Sequence, residues 1–160
     1  MPLIQLLVVR HSKAVDSHPK GDRFRALSEV GRARIQDLVP KVKEKGYQAE
    51  LALSSPYLRA RETADLFAEA VPHVQRKETH SLLPNADLQH LVTELKAWEA
   101  QGIKTAVLYS HNPLVTELCQ WLLMPELKTG VEFHTPSLYA IGFPTGFEPH
   151  QGKLLWVLHP

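Results

Sequence analysis

The amino-acid sequence predicts an α/β fold, a three-layer sandwich in which a mostly parallel sheet has helices on both faces. Short apolar segments alternate with longer segments whose apolar residues recur at helical spacing, and this alternation is typical of α/β proteins. The strand-like segments are almost continuously apolar, as expected for strands that are covered on both faces. A length of 160 residues without a linker or repeat predicts one domain over residues 1–160.

Short apolar segments bounded by polar residues, glycine or proline predict the strands of this sheet. In chain order they are Leu3–Val9, Leu51–Leu53, Thr105–Tyr109, Leu138–Phe143 and Leu154–Leu158. The first segment lacks a basic leader, and a charged loop follows it directly. We therefore interpret Met1–Val9 as a buried strand and not as a signal peptide.

Capping residues and apolar periodicity predict four helices. Ser28 is the predicted N-cap of the first helix, which ends at Gly46. Ser55-Pro56 and Asn112-Pro113 each place a cap residue before a proline and predict the starts of the second and fourth helices. The third helix is predicted from about Asp87 to Ala100. The periodic apolar residues are Ile35, Leu38, Val39 and Val42, then Ala60, Ala64 and Phe67, then Leu88, Leu91, Val92, Leu95 and Trp98, then Leu114, Leu118 and Leu122.

The composition excludes several classes of function. Lys plus Arg is 18 and Asp plus Glu is 17, so the chain lacks the basic excess of a general nucleic-acid binder. No segment approaches the roughly 20 apolar residues that cross a bilayer, so we expect no membrane partner. The single cysteine, Cys119, excludes an internal disulfide and fits a cytoplasmic location.

Charged and polar side chains follow three predicted elements at the points where a strand ends. Arg10, His11 and Ser12 follow the first strand, Arg59 and Arg61 lie near the start of the second helix, and His111 follows the strand Thr105–Tyr109. In an α/β sheet these points meet at one edge, where helix N-termini favour anions. Imidazole and guanidinium groups converging there predict a binding site for a phosphoryl group.

These segments resemble the histidine phosphatase superfamily, and within it the small SixA-type phosphohistidine phosphatases, which have a phosphoglycerate mutase-like fold. The resemblance extends over essentially the whole chain. It is carried by LLVVRHSKA at 6–14, DRFRALSEVG at 22–31, SSPYLRARETA at 54–64 and YSHNPL at 109–114. The compact spacing between these motifs resembles the SixA type more than the larger mutases and acid phosphatases.

The resemblance implies roles for individual residues. His11 would be the nucleophile that becomes phosphorylated, and Arg10, Arg59 and His111 would bind the phosphoryl oxygens. For attack, His11 must be neutral at the attacking nitrogen. The cationic side chains would stabilise the transferring group electrostatically, so neither a metal nor another cofactor is expected.

Three further residues are predicted to bind substrate, and two positions depart from the family pattern. Arg25, Ser12 and Asn112 are these additional binding residues. Ser12 replaces a usual glycine, where it would either crowd the backbone near the phosphate or add a hydroxyl donor. Ala26 replaces the common proline after Arg25, which predicts a less rigid loop.

The sequence leaves the substrate open between phosphohistidine and a phosphomonoester. Alcohol leaving groups need a general acid, and the candidates Asp22, Glu78 and Asp87 lie in unconvincing contexts. A phosphorylated imidazole can carry its own proton, which favours a phosphohistidine phosphatase acting on a phosphotransfer protein. The alternatives are a phosphomonoesterase acting on a small phosphorylated metabolite and a catalytically weak phosphate-binding module.

The number of histidines raises one further alternative, a metal-dependent hydrolase. The chain has 9 histidines, but none of their positions forms an HxH, HxxxH or HExxH spacing. We therefore expect His11 and His111 to serve an anion site and the others to have separate roles.

Overall fold

The computed structural model describes residues 4–160, in which six strands and four α-helices alternate. Leu3, predicted as the first strand residue, lies outside the described residues. The strands are β1 Ile4–Arg10, β2 Ala49–Ser54, β3 His73–Glu78, β4 Thr105–Ser110, β5 Ser137–Phe143 and β6 Lys153–Leu158. The helices are α1 Glu29–Lys45, α2 Leu58–Phe67, α3 Leu88–Ala100 and α4 Leu114–Leu122. Short 3₁₀ turns occur at Asp22–Phe24, His80–Leu82 and Pro125–Gly130.

The strands form one mixed sheet in the order β3-β2-β4-β1-β5-β6. The neighbours β3, β2, β4 and β1 pair in parallel, β5 is antiparallel to β1, and β6 is antiparallel to β5. The prediction of a mostly parallel sheet is therefore confirmed. The registers Arg10↔Ser110 and Arg10↔Ser137 bring the ends of β1 and β4 and the start of β5 to the same edge.

Two apolar cores, one on each face of the sheet, complete the predicted sandwich. On one face Leu6 and Val8 belong to a core that includes α3 and α4. On the other face Leu7 and Val9 pack in a core that includes α1 and α2. Successive residues of β1 thus serve opposite cores because side chains alternate along a strand, and this explains why the strand is apolar throughout.

The predicted bounds of α1 and α3 are confirmed by their caps. The Ser28 hydroxyl accepts a hydrogen bond from the Gly31 backbone N–H, and Gly46 ends α1 in the left-handed conformation, with φ 65°. The Asp87 carboxylate accepts from the Gln89 N–H at the start of α3. Local capping chemistry therefore determines both helices.

The two predicted cap-plus-proline starts are wrong by one or two residues. Helix α2 begins at Leu58, because Ser55 accepts from the Tyr57 N–H in a turn that precedes the helix. Helix α4 begins at Leu114, after a cis Asn112–Pro113 peptide bond. The Asn112 Oδ1 accepts from the Thr116 hydroxyl, 2.7 Å away, and does not cap the helix backbone.

Strand β3 is absent from the sequence prediction. Its six residues, HVQRKE, lack apolar alternation, and Val74 is 86% exposed. The strand lies at the edge of the sheet and is held by backbone pairing with β2, so side-chain pattern carries little signal for it. Among residues 4–160, no helix has the length and apolar character needed to span a membrane.

Candidate active site

Three strand ends meet at one edge of the sheet and supply the histidines of the site. The His11 N–H donates to the Ser110 carbonyl at 2.9 Å, and the Ser55 N–H donates to the Tyr109 carbonyl at 3.0 Å. Backbone pairing thus continues one residue beyond β1 and β2, against β4. Because His111 is the next residue after β4, these bonds bring His11, Ser55 and His111 together.

The His11 side chain is held in one orientation by a backbone acceptor. Its Nδ1 lies 2.6 Å from the Ser12 carbonyl oxygen, which can only accept, so Nδ1 carries the proton. The lone pair is then on Nε2, which accepts from Arg59 Nε at 3.3 Å. Burial, together with the smaller effect of the charges of Arg59 and Arg10, lowers the pKa of His11 to about 3, although the bond to the Ser12 carbonyl raises it. The imidazole is therefore neutral at physiological pH.

Arg59 is a buried guanidinium in the first turn of α2. It donates to the Asp22 carbonyl at 2.9 Å and forms an ion pair with the Asp22 carboxylate at 3.1 Å. The Thr63 hydroxyl, one turn later, donates to the Arg59 carbonyl at 2.7 Å and accepts from the Ser12 N–H at 3.0 Å. Thr63 thus connects α2 to the loop that carries His11.

His111 faces His11 from the end of β4. The two ring centroids are 5.0 Å apart in an edge arrangement, and Tyr57 packs against the other side of His111 at 5.4 Å. His111 Nε2 lies 2.8 Å from the Ser55 hydroxyl. Burial, together with the smaller effects of His11 and Arg59, lowers the pKa of His111 to about 2.

Two buried nitrogens at this edge have no hydrogen-bond partner in residues 4–160: Arg10 Nε and His111 Nδ1. Arg10 donates through Nη1 to the Phe133 carbonyl at 2.8 Å. Buried polar atoms of native proteins are normally satisfied. Unpartnered nitrogens beside Arg59 and His11 are therefore suited to the oxygens of an anionic ligand.

The three further residues predicted to bind substrate have other partners in the structure. Arg25 donates to the Val15 carbonyl and pairs with the Asp22 carboxylate, each at 2.7 Å. The Ser12 hydroxyl donates to the Gly31 carbonyl at 2.7 Å. As described above, the Asn112 Oδ1 is engaged by a threonine hydroxyl. Substrate contact by Arg25, Ser12 and Asn112 stays a prediction.

The Ser12 hydroxyl bond depends on a close approach between α1 and the loop after β1. A Cβ atom at Gly31 would lie 2.0 Å from the Lys13 carbonyl oxygen, so only glycine fits there. The Ser28 hydroxyl also donates to this Lys13 oxygen, at 3.1 Å. The N-terminus of α1 therefore packs directly on the backbone that positions His11.

Each of the three candidates for a general acid is engaged in an ion pair or a helix cap. Bonding to Arg25, together with the charge of Arg59, holds the pKa of the Asp22 carboxyl below its usual value despite some burial. Glu78 pairs with Arg61 at 3.7 Å, and Asp87 caps α3. An acid whose pKa is lowered stays ionised at neutral pH and donates a proton poorly.

The structure adds Ser55, Thr63 and Tyr57 to the site and moves Arg61 away from it. All three lie in the SSPYLRARETA segment, but nothing in their spacing predicts their contacts with His111 and the loop after β1. Arg61 is exposed, although it lies only two residues from Arg59, because successive helix positions face different directions. Among residues 4–160, no group of three or more His, Cys, Asp or Glu side chains is arranged to hold a metal ion.

Comparisons with known proteins show what this sequence is similar to. The family model of the histidine phosphatase superfamily (branch 1) matches residues 6–87. An uncharacterized protein of Picosynechococcus sp. is 32% identical over 161 residues, which cover 97% of this chain and 95% of that protein.

Solved structures with the same fold include several phosphatases. The protein histidine phosphatase SixA in complex with tungstate has a TM-score of 0.85 and 23% identity, covering 98% of this chain and 97% of that chain. A protein described as a phosphohistidine phosphatase SixA of Agrobacterium tumefaciens has a TM-score of 0.84 and 21% identity, covering 100% and 99%. A mycobacterial glucosyl-3-phosphoglycerate phosphatase has a TM-score of 0.62 and 16% identity, covering 95% and 97%.

Proposed function

Because this chain belongs to the histidine phosphatase superfamily, we propose that it hydrolyses phosphohistidine through a covalent phosphohistidine intermediate on His11. The observation that carries this proposal is the orientation of the His11 ring. Its Nδ1–H is bound by the Ser12 carbonyl, and its Nε2 lone pair lies at the buried cationic site. A neutral, oriented imidazole is a competent nucleophile for phosphoryl transfer.

The reaction takes two displacements at phosphorus. In the first, the Nε2 lone pair of His11 forms a bond to phosphorus while the bond from phosphorus to the substrate imidazole breaks, and that imidazole leaves with the electron pair. In the second, a water oxygen attacks the phosphorus of phosphorylated His11 and loses one proton to solvent. The phosphorus–Nε2 bond then breaks, which releases inorganic phosphate and restores the neutral ring.

The surrounding cations stabilise the transferring group. Arg59 donates to the attacking nitrogen at 3.3 Å, and this N–H turns to a phosphoryl oxygen when the lone pair attacks. The unpartnered nitrogens of Arg10 and His111 are also available to oxygens. Phosphoryl transfer depends mainly on positioning and electrostatic stabilisation. These three side chains supply both without a metal ion.

The engagement of the acidic side chains supports a phosphohistidine substrate over an alcohol ester. When a phosphorylated imidazole is protonated on its other ring nitrogen, cleavage of the phosphorus–nitrogen bond releases a neutral imidazole. The enzyme therefore need not supply a proton. Asp22 is held ionised between two arginines, and its lowered pKa makes it a poor donor to an alkoxide.

A phosphorylated protein, such as a phosphotransfer domain, is the partner that this proposal favours. The two SixA structures described above carry the names of phosphatases that act on protein histidine or phosphohistidine. A small phosphorylated metabolite is the second candidate, because the same fold occurs in a glucosyl-3-phosphoglycerate phosphatase. A cytoplasmic location and the single-domain organisation stay predictions from the sequence.

The proposal is tested by trapping the intermediate and by comparing substrates. Rapid quenching with ³²P-labelled phosphohistidine peptide is expected to yield an acid-labile phosphoenzyme in the wild type and in the control variant His90→Ala, an exposed position on α3. The His11→Ala variant is expected to form none. Normal turnover by His11→Ala would contradict the mechanism, and a clear preference for sugar phosphates would contradict the substrate assignment.

A further inference from the structure

A cavity of about 760 Å³ is lined on one side by Arg10, the residue that precedes His11 in the chain. It lies between α1, the segment that precedes β5 and the end of β6. Arg10 pairs with Ser137 at the start of β5, and Leu138 pairs with Leu158 near the end of β6. The cavity therefore opens at the same edge of the sheet as His11.

The lining of this cavity is predominantly cationic. Among the Lys, Arg, Asp and Glu side chains of the lining, Arg10, Arg34 and Lys41 contribute three positive charges and Asp37 contributes one negative charge, a side-chain sum of 3 − 1 = +2. The chain as a whole has a formal net charge of only +1. Arg10 and Arg34 are half-buried, whereas Lys41 and Asp37 are exposed, so salt screens the outer part of this cluster more than the inner part.

The wall of the cavity is held by hydrogen bonds that do not involve Lys41. Arg34 Nη1 donates to the Thr135 carbonyl at 3.0 Å and to its hydroxyl at 3.1 Å. The Ser137 hydroxyl bonds both the His134 N–H and the His159 ring, at 2.6 and 2.7 Å. Lys41 forms no ion pair within residues 4–160, so its ammonium group is available to a ligand.

Arg10 connects the cavity to the phosphoryl site. It lines the cavity, and its neighbour in the chain is the nucleophile His11. A guanidinium has five N–H donors, of which Nη1 is used by the Phe133 carbonyl and Nε has no partner. One guanidinium can therefore bond a phosphoryl oxygen and a second anion together, because its donors point in different directions.

We propose that this cavity binds a second anionic group, a carboxylate or a phosphate, that the substrate carries beside its phosphoryl group. The inference rests on the proposed function, because it identifies which phosphorylated substrates the site prefers. Lys41 and Arg34 are then specificity-determining residues, and Arg10 bonds both anions. Two sources supply such an anion. One is an acidic side chain near the phosphohistidine of a protein, and the other is a second anionic group of a small metabolite.

The first test is binding, which does not depend on turnover. Phenylphosphonate and its 2-, 3- and 4-carboxy derivatives are non-hydrolysable and differ by one carboxylate. We expect the best-placed carboxylate to raise the affinity measured by calorimetry about tenfold at low salt, as for a charge-assisted hydrogen bond. The advantage should fall as salt is added. Equal affinity of all four compounds would overturn the inference.

Variants of opposite charge assign the effect to the cavity. Lys41→Gln is expected to reduce the carboxylate advantage about threefold, the size typical of a partly exposed charge pair. Asp37→Asn is expected to increase the carboxylate advantage, because the one acidic side chain of the lining is removed. Lys104→Gln, a matched control at the opposite edge of the sheet beside the start of β4, should leave it unchanged. An equal response of Lys41→Gln and Lys104→Gln would overturn the assignment.

The source of the second anion is identified by comparing hydrolysis of two pairs of substrates. One pair is a phosphohistidine peptide with glutamates within four residues of the phosphohistidine and the same peptide with glutamines. The other pair is phenyl phosphate and carboxyphenyl phosphate. Preference for the acidic peptide supports a protein source, and preference confined to the aryl pair supports a metabolite.

The two proposals fail in distinguishable ways. A carboxylate advantage in phosphonate binding without any phosphoenzyme on His11 would contradict the proposed reaction and leave the second anion site standing. A labelled His11 without any carboxylate advantage in binding or hydrolysis would contradict the second anion site and leave the proposed reaction standing.

Discussion

The ends of β1 and β4 place two histidines in matching positions with different partners. The strands pair in parallel with Arg10 opposite Ser110, so His11 and His111 occupy equivalent places beyond them. Both rings are buried, and both have a pKa that burial lowers far below its ordinary value. They differ in what holds the ring, a backbone carbonyl for His11 and the Ser55 hydroxyl for His111.

This difference explains why equivalent positions have different roles. A carbonyl oxygen only accepts, so it fixes the proton of His11 on Nδ1 and leaves the Nε2 lone pair for attack. A hydroxyl both donates and accepts, so Ser55 is compatible with either neutral tautomer of His111. The protein therefore determines one nucleophilic nitrogen at His11, while His111 can adjust its proton to a bound oxygen.

The largest expected effect comes from replacing each of the two histidines in a separate variant. His11→Gln is expected to lower kcat on a phosphohistidine peptide by roughly 10⁴-fold, because no nucleophile remains. His111→Gln is expected to lower it by about 10²-fold, since one stabilising contact is lost, and the phosphoenzyme should still form. Steady-state kinetics with rapid quenching measures both. Equal losses, or the loss of the phosphoenzyme in both variants, would contradict the division of roles.

Two arginines on α2 offer a sharper comparison near His11. Arg59→Lys is expected to lower kcat/KM about 10²-fold, because an ammonium group cannot bond Asp22 and a phosphoryl group in the same planar geometry. Arg61→Lys, two residues away and exposed, is the matched control and should stay within twofold of the wild type. Comparable losses in the two variants would contradict a specific role for the Arg59 guanidinium and its contact with His11.

The lowered pKa values predict that acid destabilises the fold before the carboxylates titrate. The histidines of the unfolded chain bind protons below their ordinary value of 6.5, whereas folded His11 stays neutral down to about pH 3. The unfolded state thus binds more protons in this window, and stability decreases as the pH falls through it. From pH 6.5 to 5 the free energy of unfolding should decrease by about 1.5 kcal/mol for each buried histidine.

Urea unfolding at the two pH values measures this effect. His11→Gln and His111→Gln should each flatten the pH dependence, because glutamine does not titrate. Ser17→Ala, which removes no titrating group and lies at an exposed position, should leave the slope unchanged. A wild-type stability that does not change between pH 6.5 and 5 would contradict the neutral, buried state of the two rings.

The smallest expected effect comes from the hydroxyl that holds His111. Ser55→Ala is expected to lower kcat about fivefold, the loss of one buried hydrogen bond, with Ser55→Thr retaining most activity. Nitrogen NMR of the imidazole rings should show a change at His111 and none at His11. Ser17→Ala, at an exposed position, is the control. A shift of the His11 resonances of equal size would contradict the separate roles of the two partners.

Much of the fold was predictable because local sequence determines it. The continuous apolar pattern of β1 follows from burial against both cores, and the caps Ser28 and Asp87 act on backbone within three residues of themselves. The interpretation of Ser55 as a helix cap was wrong because the partner of its side chain is distant in the sequence. Ser55 contacts His111, 56 residues away, and α2 begins after it.

By itself the sequence determined the alternation of strands and helices and the placement of His11, Arg59 and His111 at strand ends and a helix start. Only the tertiary structure decided which nitrogen of each side chain is held by a protein partner and which is available to a ligand. The Asp22–Arg59 pair spans 37 residues, and the Arg34–Thr135 bond that supports the basic cavity spans 101. Short-range patterns report backbone preference and burial, whereas hydrogen-bond partners depend on how distant segments pack.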